Sequence, residues 1–250
     1  MKFKICPKCQ SKNIVLDVGG ITGKYKCKDC GYVGVLVIHE DVRMPKLQVA
    51  LDVLSIKEAL VIARKCSDAH ILEAGTPLIK SEGIKAITEL KKNFPKKTIV
   101  ADMKTMDTGY LETELAAKAG ADIVSILATA DDNTIKGAIE AGKKLKLKIC
   151  CDLINVKEPV KRAKEMEKLG VDVVTLHLGI DQQKKSKYPY PTLRKLCKTV
   201  KIPVAACGGL TDKKIPEVIK AGADIVIVGG FITKSKDPTR ATMLVLEAMK

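Results

Sequence analysis

The chain has 250 residues, 46% of them hydrophobic, and a formal net charge of +15. That length holds one large domain or a domain with a small appendage, and no apolar run reaches the roughly 20 residues of a membrane-spanning helix. The charge comes from 39 lysines against 5 arginines, with 3% aromatics and no tryptophan; so few arginine forks and stacking rings favour a solvated lysine surface first, an anionic small molecule second and nucleic acid third.

Met1-Lys2-Phe3-Lys4-Ile5-Cys6-Pro7 opens the chain without a signal-peptide apolar region, which leads us to expect a cytoplasmic protein. Residues 1–44 then differ from the rest. Cys6-Pro7-Lys8-Cys9 and Cys27-Lys28-Asp29-Cys30 form C-x2-C-x17-C-x2-C, within the range of zinc sites. Two such knuckles complete a tetrahedral four-sulfur site with no open position for catalysis. The expectation is structural Zn²⁺ on Cys6, Cys9, Cys27 and Cys30 in a small zinc-ribbon-like β domain; iron on the same ligands is the alternative. Gly31 suits the turn after the second knuckle, whereas Gln10 follows the first. Short strands are expected at Ile14-Val15-Leu16, at Lys24-Tyr25 and from Val33 to Ile38, around a Gly19-Gly20 turn. His39 to Pro45 reads as the linker, with His39 solvated. The ribbon's basic balance leaves open a nucleic-acid or protein contact through it. The five other cysteines, Cys66, Cys150, Cys151, Cys197 and Cys207, read as small buried hydrophobes in a reduced chain.

From residue 45 to 250, short β-rich runs alternate with longer amphipathic stretches. Strands are expected at 47–51, 69–72, 98–101, 122–127, 147–151, 172–176, 203–206 and 224–228. Helices are expected at 55–66, 80–93, 110–119, 131–145, 156–169, 191–200, 212–221 and 237–249. Eight strand–helix pairs predict an α/β fold, a (β/α)8 TIM barrel; a doubly wound sheet usually has fewer strands. Lys118-Ala-Gly-Ala-Asp-Ile-Val124 recurs as Lys220-Ala-Gly-Ala-Asp-Ile-Val226, with Lys168-Leu-Gly-Val-Asp-Val-Val174 a third variant. Each has glycine where a helix ends and a buried strand follows, which is structural punctuation.

Chemistry in such a barrel gathers at the C-terminal strand ends. Those ends carry Asp52, Glu73, Asp102 with Lys104, Asp152, His177, Gly208-Gly209 and Gly229-Gly230. Asp102 and Lys104 are two apart and so share a strand face; the plain alternative is a structural ion pair. Glu73 and Asp102, on adjacent strands, suit a hard divalent cation, with Asp52 and Lys104 then close enough to pair. His177, on the rim, suits acid/base work. The two Gly-Gly pairs suit a phosphate, or only tight turns. Asp152 reads as the cap of the next helix, and His70 as structural.

Glu73-Ala-Gly-Thr-Pro-Leu-Ile-Lys80, Ala101-Asp-Met-Lys-Thr-Met-Asp-Thr-Gly109, Ala130-Asp-Asp-Asn-Thr-Ile-Lys-Gly137 and His177-Leu-Gly-Ile-Asp-Gln-Gln183 resemble 3-hexulose-6-phosphate synthases, in the orotidine 5′-monophosphate decarboxylase superfamily of barrels. The resemblance spans about residues 46–249 and omits the cysteine region. It implies a Mg²⁺-dependent aldehyde-lyase that condenses formaldehyde with ribulose 5-phosphate. On it, Glu73 and Asp102 would bind Mg²⁺ and His177 would move the proton. Lys104 would add electrostatic stabilisation, with Asp52 positioning it. Asp107 would reach a neighbouring subunit's site in a homodimer, and Gly208, Gly209, Gly229 and Gly230 would hold the phosphate. Orotidine monophosphate decarboxylases carry lysine in place of Glu73. Keto-gulonate phosphate decarboxylases carry arginine in place of Ile180, so both relatives fit less well. A decarboxylase of a β-keto sugar phosphate is the alternative activity, and a ribbon-bearing binding protein with an inactive barrel is the non-enzymatic one. The chain departs from the family pattern at Leu178, at 184–191 and at Ala128-Thr129, near the substrate mouth.

Overall fold

A computed structural model of the chain describes residues 2–17, 23–35, 38–41 and 44–250. The chain divides into two compact units, Met1–Met44 and Pro45–Lys250.

The first unit contains β1 (Lys2–Ile5), β2 (Ile14–Leu16), β3 (Tyr25–Cys27), β4 (Val33–Gly34) and β5 (Ile38–Asp41). Strands β2, β3 and β4 form an antiparallel sheet, and β1 pairs antiparallel with β5 from Lys2↔Asp41 to Ile5↔Ile38. Two sequence expectations are corrected here. Val33 to Ile38 is not one strand, and the stretch from His39 is paired backbone as far as Asp41, not free linker. Ile38-His39-Glu40-Asp41 has weak intrinsic strand preference; its ladder partner lies more than thirty residues away, a context that local pattern does not reveal. The Gly19-Gly20 turn and the His39 side chain lie outside what is described.

The second unit is a closed ring of eight parallel strands in sequence order. They are β6 (Lys46–Leu51), β7 (Ile71–Ala74), β8 (Thr98–Thr105), β9 (Ile123–Leu127), β10 (Lys148–Asp152), β11 (Val173–His177), β12 (Val204–Cys207) and β13 (Ile225–Val228). Around them lie α1 (Ile56–Lys65), α2 (Thr76–Glu82), α3 (Lys85–Asn93), α4 (Gly109–Lys118), α5 (Asp132–Leu145), α6 (Pro159–Leu169), α7 (Tyr190–Thr199), α8 (Ile215–Ala221), α9 (Gly230–Thr233) and α10 (Pro238–Ala248). The helix expected at 80–93 is split, because Gly83 closes α2 with φ 69°.

Strand alternation sorts the barrel into two apolar layers. Ala50, Ile71, Val100, Ile123, Cys150, Val173, Ala205, Ile225 and Ile227 fill the barrel axis. Leu47, Val49, Leu72, Ile99, Val124, Ile126, Ile149, Val174 and Val226 point outward against the helices. The repeated Gly-x-Asp motif has a specific task. Asp122, Asp172 and Asp224 accept the backbone N–H of Ile99, Ile149 and Val204, at 2.7, 2.9 and 2.9 Å. Each thus ties the start of its strand to a neighbouring one and satisfies a donor the ladder leaves free. No helix among the described residues is long and apolar enough to cross a membrane.

Candidate active site

The inward positions turn polar towards the C-terminal ends of the strands. Above the axial layer come Glu73 on β7, Asp102 on β8, Ser125 on β9, Asp152 on β10 and Thr175 and His177 on β11. With Gln48, Asp52, Lys104 and Gly230 they wall a cavity of about 480 Å³. Glu73, Asp102 and Asp152 are buried, at 6%, 7% and 4% exposure, so their charges must be partnered or neutralised.

Lys104 is the centre of the network. Its Nζ lies 2.7 Å from Asp102 Oδ2 and 3.3 Å from Asp152 Oδ2. Burial works against its charge, but the Asp102 and Asp152 carboxylates outweigh that and hold its pKa above the ordinary lysine value. Plain alternation does not aim it there. Between Ala101↔Val124 and Thr105↔Ile126, β8 spends four residues against two of β9, and Lys104 sits in the left-handed region at φ 49°. A bulge of this kind re-aims side chains beside a site, and the left-handed lysine carries about 1–2 kcal/mol of strain. The Lys104 N–H, freed from the ladder, donates to Ser125 Oγ at 3.1 Å. Asp102 is fixed from two further sides: Ser125 Oγ–H donates to its Oδ1 at 2.6 Å and Thr76 Oγ1 lies 2.7 Å from its Oδ2.

The helix after β10 begins only at Pro159, with Glu158 at its N-cap position, so Asp152 does not cap it. Its Oδ1 accepts from Ile154 N at 2.9 Å, as a turn-forming aspartate does. Its Oδ2 is 2.8 Å from His177 Nδ1. Burial raises the Asp152 pKa, but the His177 bond, the His177 charge and Lys104 overturn this and leave it below the ordinary value. An ionised acceptor requires the proton on Nδ1, which leaves Nε2 as the ring nitrogen free for exchange. Asp152 is thus both a turn residue and the orienting partner of His177, where its sequence position suggests only a structural cap.

Glu73 is held by Gln48, whose Nε2 donates to Oε2 at 2.6 Å. Burial, then the charges of Asp102 and Asp52, push its pKa well above the ordinary carboxylate value. Asp52 keeps surface open at the cavity mouth, yet partial removal from water and the Asp102 charge also raise its pKa. The expected Asp52–Lys104 pair is not formed: Lys104 bonds Asp102 and Asp152 instead. Asp52 is cradled by glycines. A Cβ on Gly75 would stand 2.2 Å from Asp52 Oδ1, and one on Gly229 would stand 3.1 Å from Oδ2. Two carboxylate side chains, Glu73 and Asp102, face one cavity with too little positive charge for both, a donor set that suits a hard oxygen-seeking cation.

The glycines divide. Gly230 lines the cavity at the start of α9, beside Thr233 and Lys234. Gly208, Gly209 and Gly229 do not line it, and the Gln183 side chain lies against Gly209. Asp107 is exposed, accepts its neighbour's Thr108 N–H at 2.7 Å, and does not reach its own chain's cavity. Sequence reasoning missed Gln48, Thr76, Ser125, Thr233 and Lys234. Gln48 and Ser125 carried a signal, a polar side chain inside an apolar strand at an inward position. Cys150 and Cys207 form part of the cavity wall near its floor, and burial raises both thiol pKa values. The four cysteines of the first unit lie together, all sulfurs within 4.8 Å of one another.

A family model described as orotidine 5′-phosphate decarboxylase / HUMPS family matches residues 45–243. The 3-hexulose-6-phosphate synthase of Mycobacterium gastri is 43% identical over 197 residues, which is 78% of this chain and 95% of that protein. The Bacillus subtilis (strain 168) protein of the same name is 43% identical over 194 residues, 77% of this chain and 92% of its own length. A crystal structure of 3-hexulose-6-phosphate synthase superposes with a TM-score of 0.78 at 41% identity, covering 82% of this chain and 100% of that one. A crystal structure of KGPDC from Streptococcus mutans superposes with a TM-score of 0.74 at 25% identity, covering 82% of this chain and 97% of that one.

Proposed function

The chain belongs to the orotidine 5′-phosphate decarboxylase / HUMPS family, and from that membership we propose that it is a Mg²⁺-dependent aldehyde-lyase that joins formaldehyde to ribulose 5-phosphate through an enediolate. One observation carries the reading. In a chain 43% identical to 3-hexulose-6-phosphate synthases, a pair of buried carboxylates and a carboxylate-oriented histidine converge on one cavity. Glu73 and Asp102 are the residues that would hold Mg²⁺. When bound, the ion supplies Lewis-acid charge that stabilises enediolate oxygens.

The chain's own groups do the rest. His177 takes the proton from the ketose carbon that becomes the nucleophile, through Nε2, and Asp152 holds the ring in the tautomer that can accept it. Lys104, pinned between Asp102 and Asp152, presents fixed positive charge where negative charge develops. Gly230, Thr233 and Lys234, which line the cavity at a backbone turn with a neighbouring ammonium, would hold the phosphate of the sugar. Asp107 completes the site from a second copy of the chain in a homodimer; the exposed Met106, Leu111 and Leu115 beside it support that arrangement.

Decarboxylation of a β-keto sugar phosphate is the rival activity. Where keto-gulonate phosphate decarboxylases carry arginine, this chain has Ile180 on the cavity wall, so a substrate carboxylate would lack that arginine partner. The deciding assay follows formaldehyde consumption with ribulose 5-phosphate, with Mg²⁺ and then with EDTA. Metal-dependent turnover is expected. No turnover, or CO2 release from a keto-gulonate phosphate instead, overturns the reading. Mixing inactive Lys104→Ala and Asp107→Ala chains is expected to restore activity, since one hybrid site is then wild type; no recovery removes Asp107 from the shared site.

A further inference from the structure

The barrel's chemistry leaves the cysteines of the first unit unused. Cys6 Sγ lies 3.5 Å from Cys30 Sγ, and Cys9 Sγ 3.6 Å from Cys27 Sγ. Disulfides have sulfurs about 2.05 Å apart. Four sulfurs about 2.3 Å from a tetrahedral zinc stand about 3.8 Å from one another. The observed spacing therefore matches an ion's ligands and not cross-links.

The two knuckles repeat one geometry. Gln10 N–H donates to Cys6 O at 2.9 Å, and Gly31 N–H donates to Cys27 O at 3.0 Å. Gln10 has φ 60° and Gly31 φ 71°. Glutamine adopts a left-handed conformation at a cost of about 1–2 kcal/mol, so the turn demands the shape even where glycine is absent. Lys8 N–H points at Cys6 Sγ from 3.4 Å, as amides do towards a thiolate. Asp29, between the second pair of cysteines, accepts from Ser11 Oγ and from Asn13 Nδ2, the latter at 2.8 Å. Lys28 N–H adds a bond to Asn13 O at 2.9 Å. The knuckles are thereby clamped together by groups that are not sulfur.

Burial supplies an independent argument. Among the unit's described side chains, only Ile5, Cys6 and Cys27 are buried. A unit of about 44 residues is too small for burial alone to offset its ordering entropy without a staple. We propose that Met1–Met44 holds one structural Zn²⁺ on Cys6, Cys9, Cys27 and Cys30, and that this ion is the staple so small a unit needs. Binding displaces the protons of the four thiols to solvent and needs no redox partner. Sulfur occupies every tetrahedral position, so no water is activated there. The soft donor set also separates this ion from a hard cation at Glu73 and Asp102.

The test is elemental analysis of the full-length reduced chain, joined to dye-monitored metal release by a mercurial. A single zinc per chain is expected. Cys9→Ser and Cys27→Ser are expected to lose it, and Cys197→Ser, in the barrel, to keep it. Should the knuckle variants misfold, Co²⁺ uptake by the wild-type chain decides: an intense tetrahedral thiolate spectrum supports the site. A chain that binds no stoichiometric metal, forms disulfides among these cysteines, or holds iron instead overturns the assignment. The readout is independent of formaldehyde turnover, so an inactive barrel would leave it intact.

Discussion

Replacing Lys104 by methionine tests the network most directly. Methionine replaces the unbranched stem and removes the charge. At separations of 2.7 and 3.3 Å, the two ion pairs have Coulomb energies of about 6 and about 5 kcal/mol at an effective dielectric of 20. Desolvation consumes much of that, and stranding a buried charge by removing its partner costs about 3–5 kcal/mol. The lysine side chain is 26% exposed and its partners 10% and 5%, so solvent cannot repair the loss. A destabilisation near 3 kcal/mol should lower Tm by about 6–12 °C in a barrel of this size. Urea denaturation followed by circular dichroism reads the stability, and formaldehyde fixation at saturating Mg²⁺ reads catalysis, which should fall at least about a hundredfold. Adding Asp152→Asn removes one stranded charge, so the double variant should be less destabilised than the sum of the singles. A Lys104→Met protein of wild-type stability and full turnover would refute both the network and the catalytic role.

Gly75→Ala places a Cβ 2.2 Å from Asp52 Oδ1 and 3.0 Å from Leu51 O; a stability loss of about 1–3 kcal/mol is expected, with a larger fractional loss of kcat, and unchanged kinetics would argue against Asp52 as a site residue. Asp152 has a depressed pKa, so its stabilisation is present above the ordinary value of 3.8 and is lost as pH falls through the lower folded value. The urea-midpoint gap between wild type and Asp152→Asn should therefore persist from pH 7 down to about pH 4 and shrink only below that; a gap that closes between pH 7 and 6 contradicts this. Gln10→Gly relieves a left-handed glutamine and should stabilise the first unit by about 1 kcal/mol, seen as slower mercurial-driven metal release; faster release would show that the glutamine side chain matters more than its backbone.

The barrel was legible because its signals are local and repeated. Eight apolar runs of strand length, each followed by an amphipathic stretch, leave few folds to choose from, and Asp52, Glu73, Asp102 and His177 announce themselves as polar residues where those runs end. What stayed hidden depends on neighbours remote in sequence. The face of Lys104 is set by a bulge against β9, whose extra residues no alternation pattern contains. Asp152 reads as a helix cap because aspartate often sits at one; it instead closes a turn at Ile154, and its other oxygen's partner, His177, lies a strand away. Ser125 and Gln48 are isolated polar side chains in apolar strands, and what they bond, Asp102 and Glu73, lies on a neighbouring strand. Strand β5 escaped for the same reason, since only pairing with β1 makes its polar sequence a strand.

The sulfur on the cavity wall has a meaning for an enzyme whose proposed substrate is an electrophile. Formaldehyde adds readily to thiolates, and an enzyme that concentrates it risks capping its own cysteines. Cys150 and Cys207 border the cavity, but burial first, and then the neighbouring Asp152 and Glu73 charges, push both thiol pKa values up. The nucleophilic form is suppressed where the aldehyde would be most abundant. Burial, seconded by the carboxylates that organise the site, thus works against attack by these sulfurs on an aldehyde held beside them.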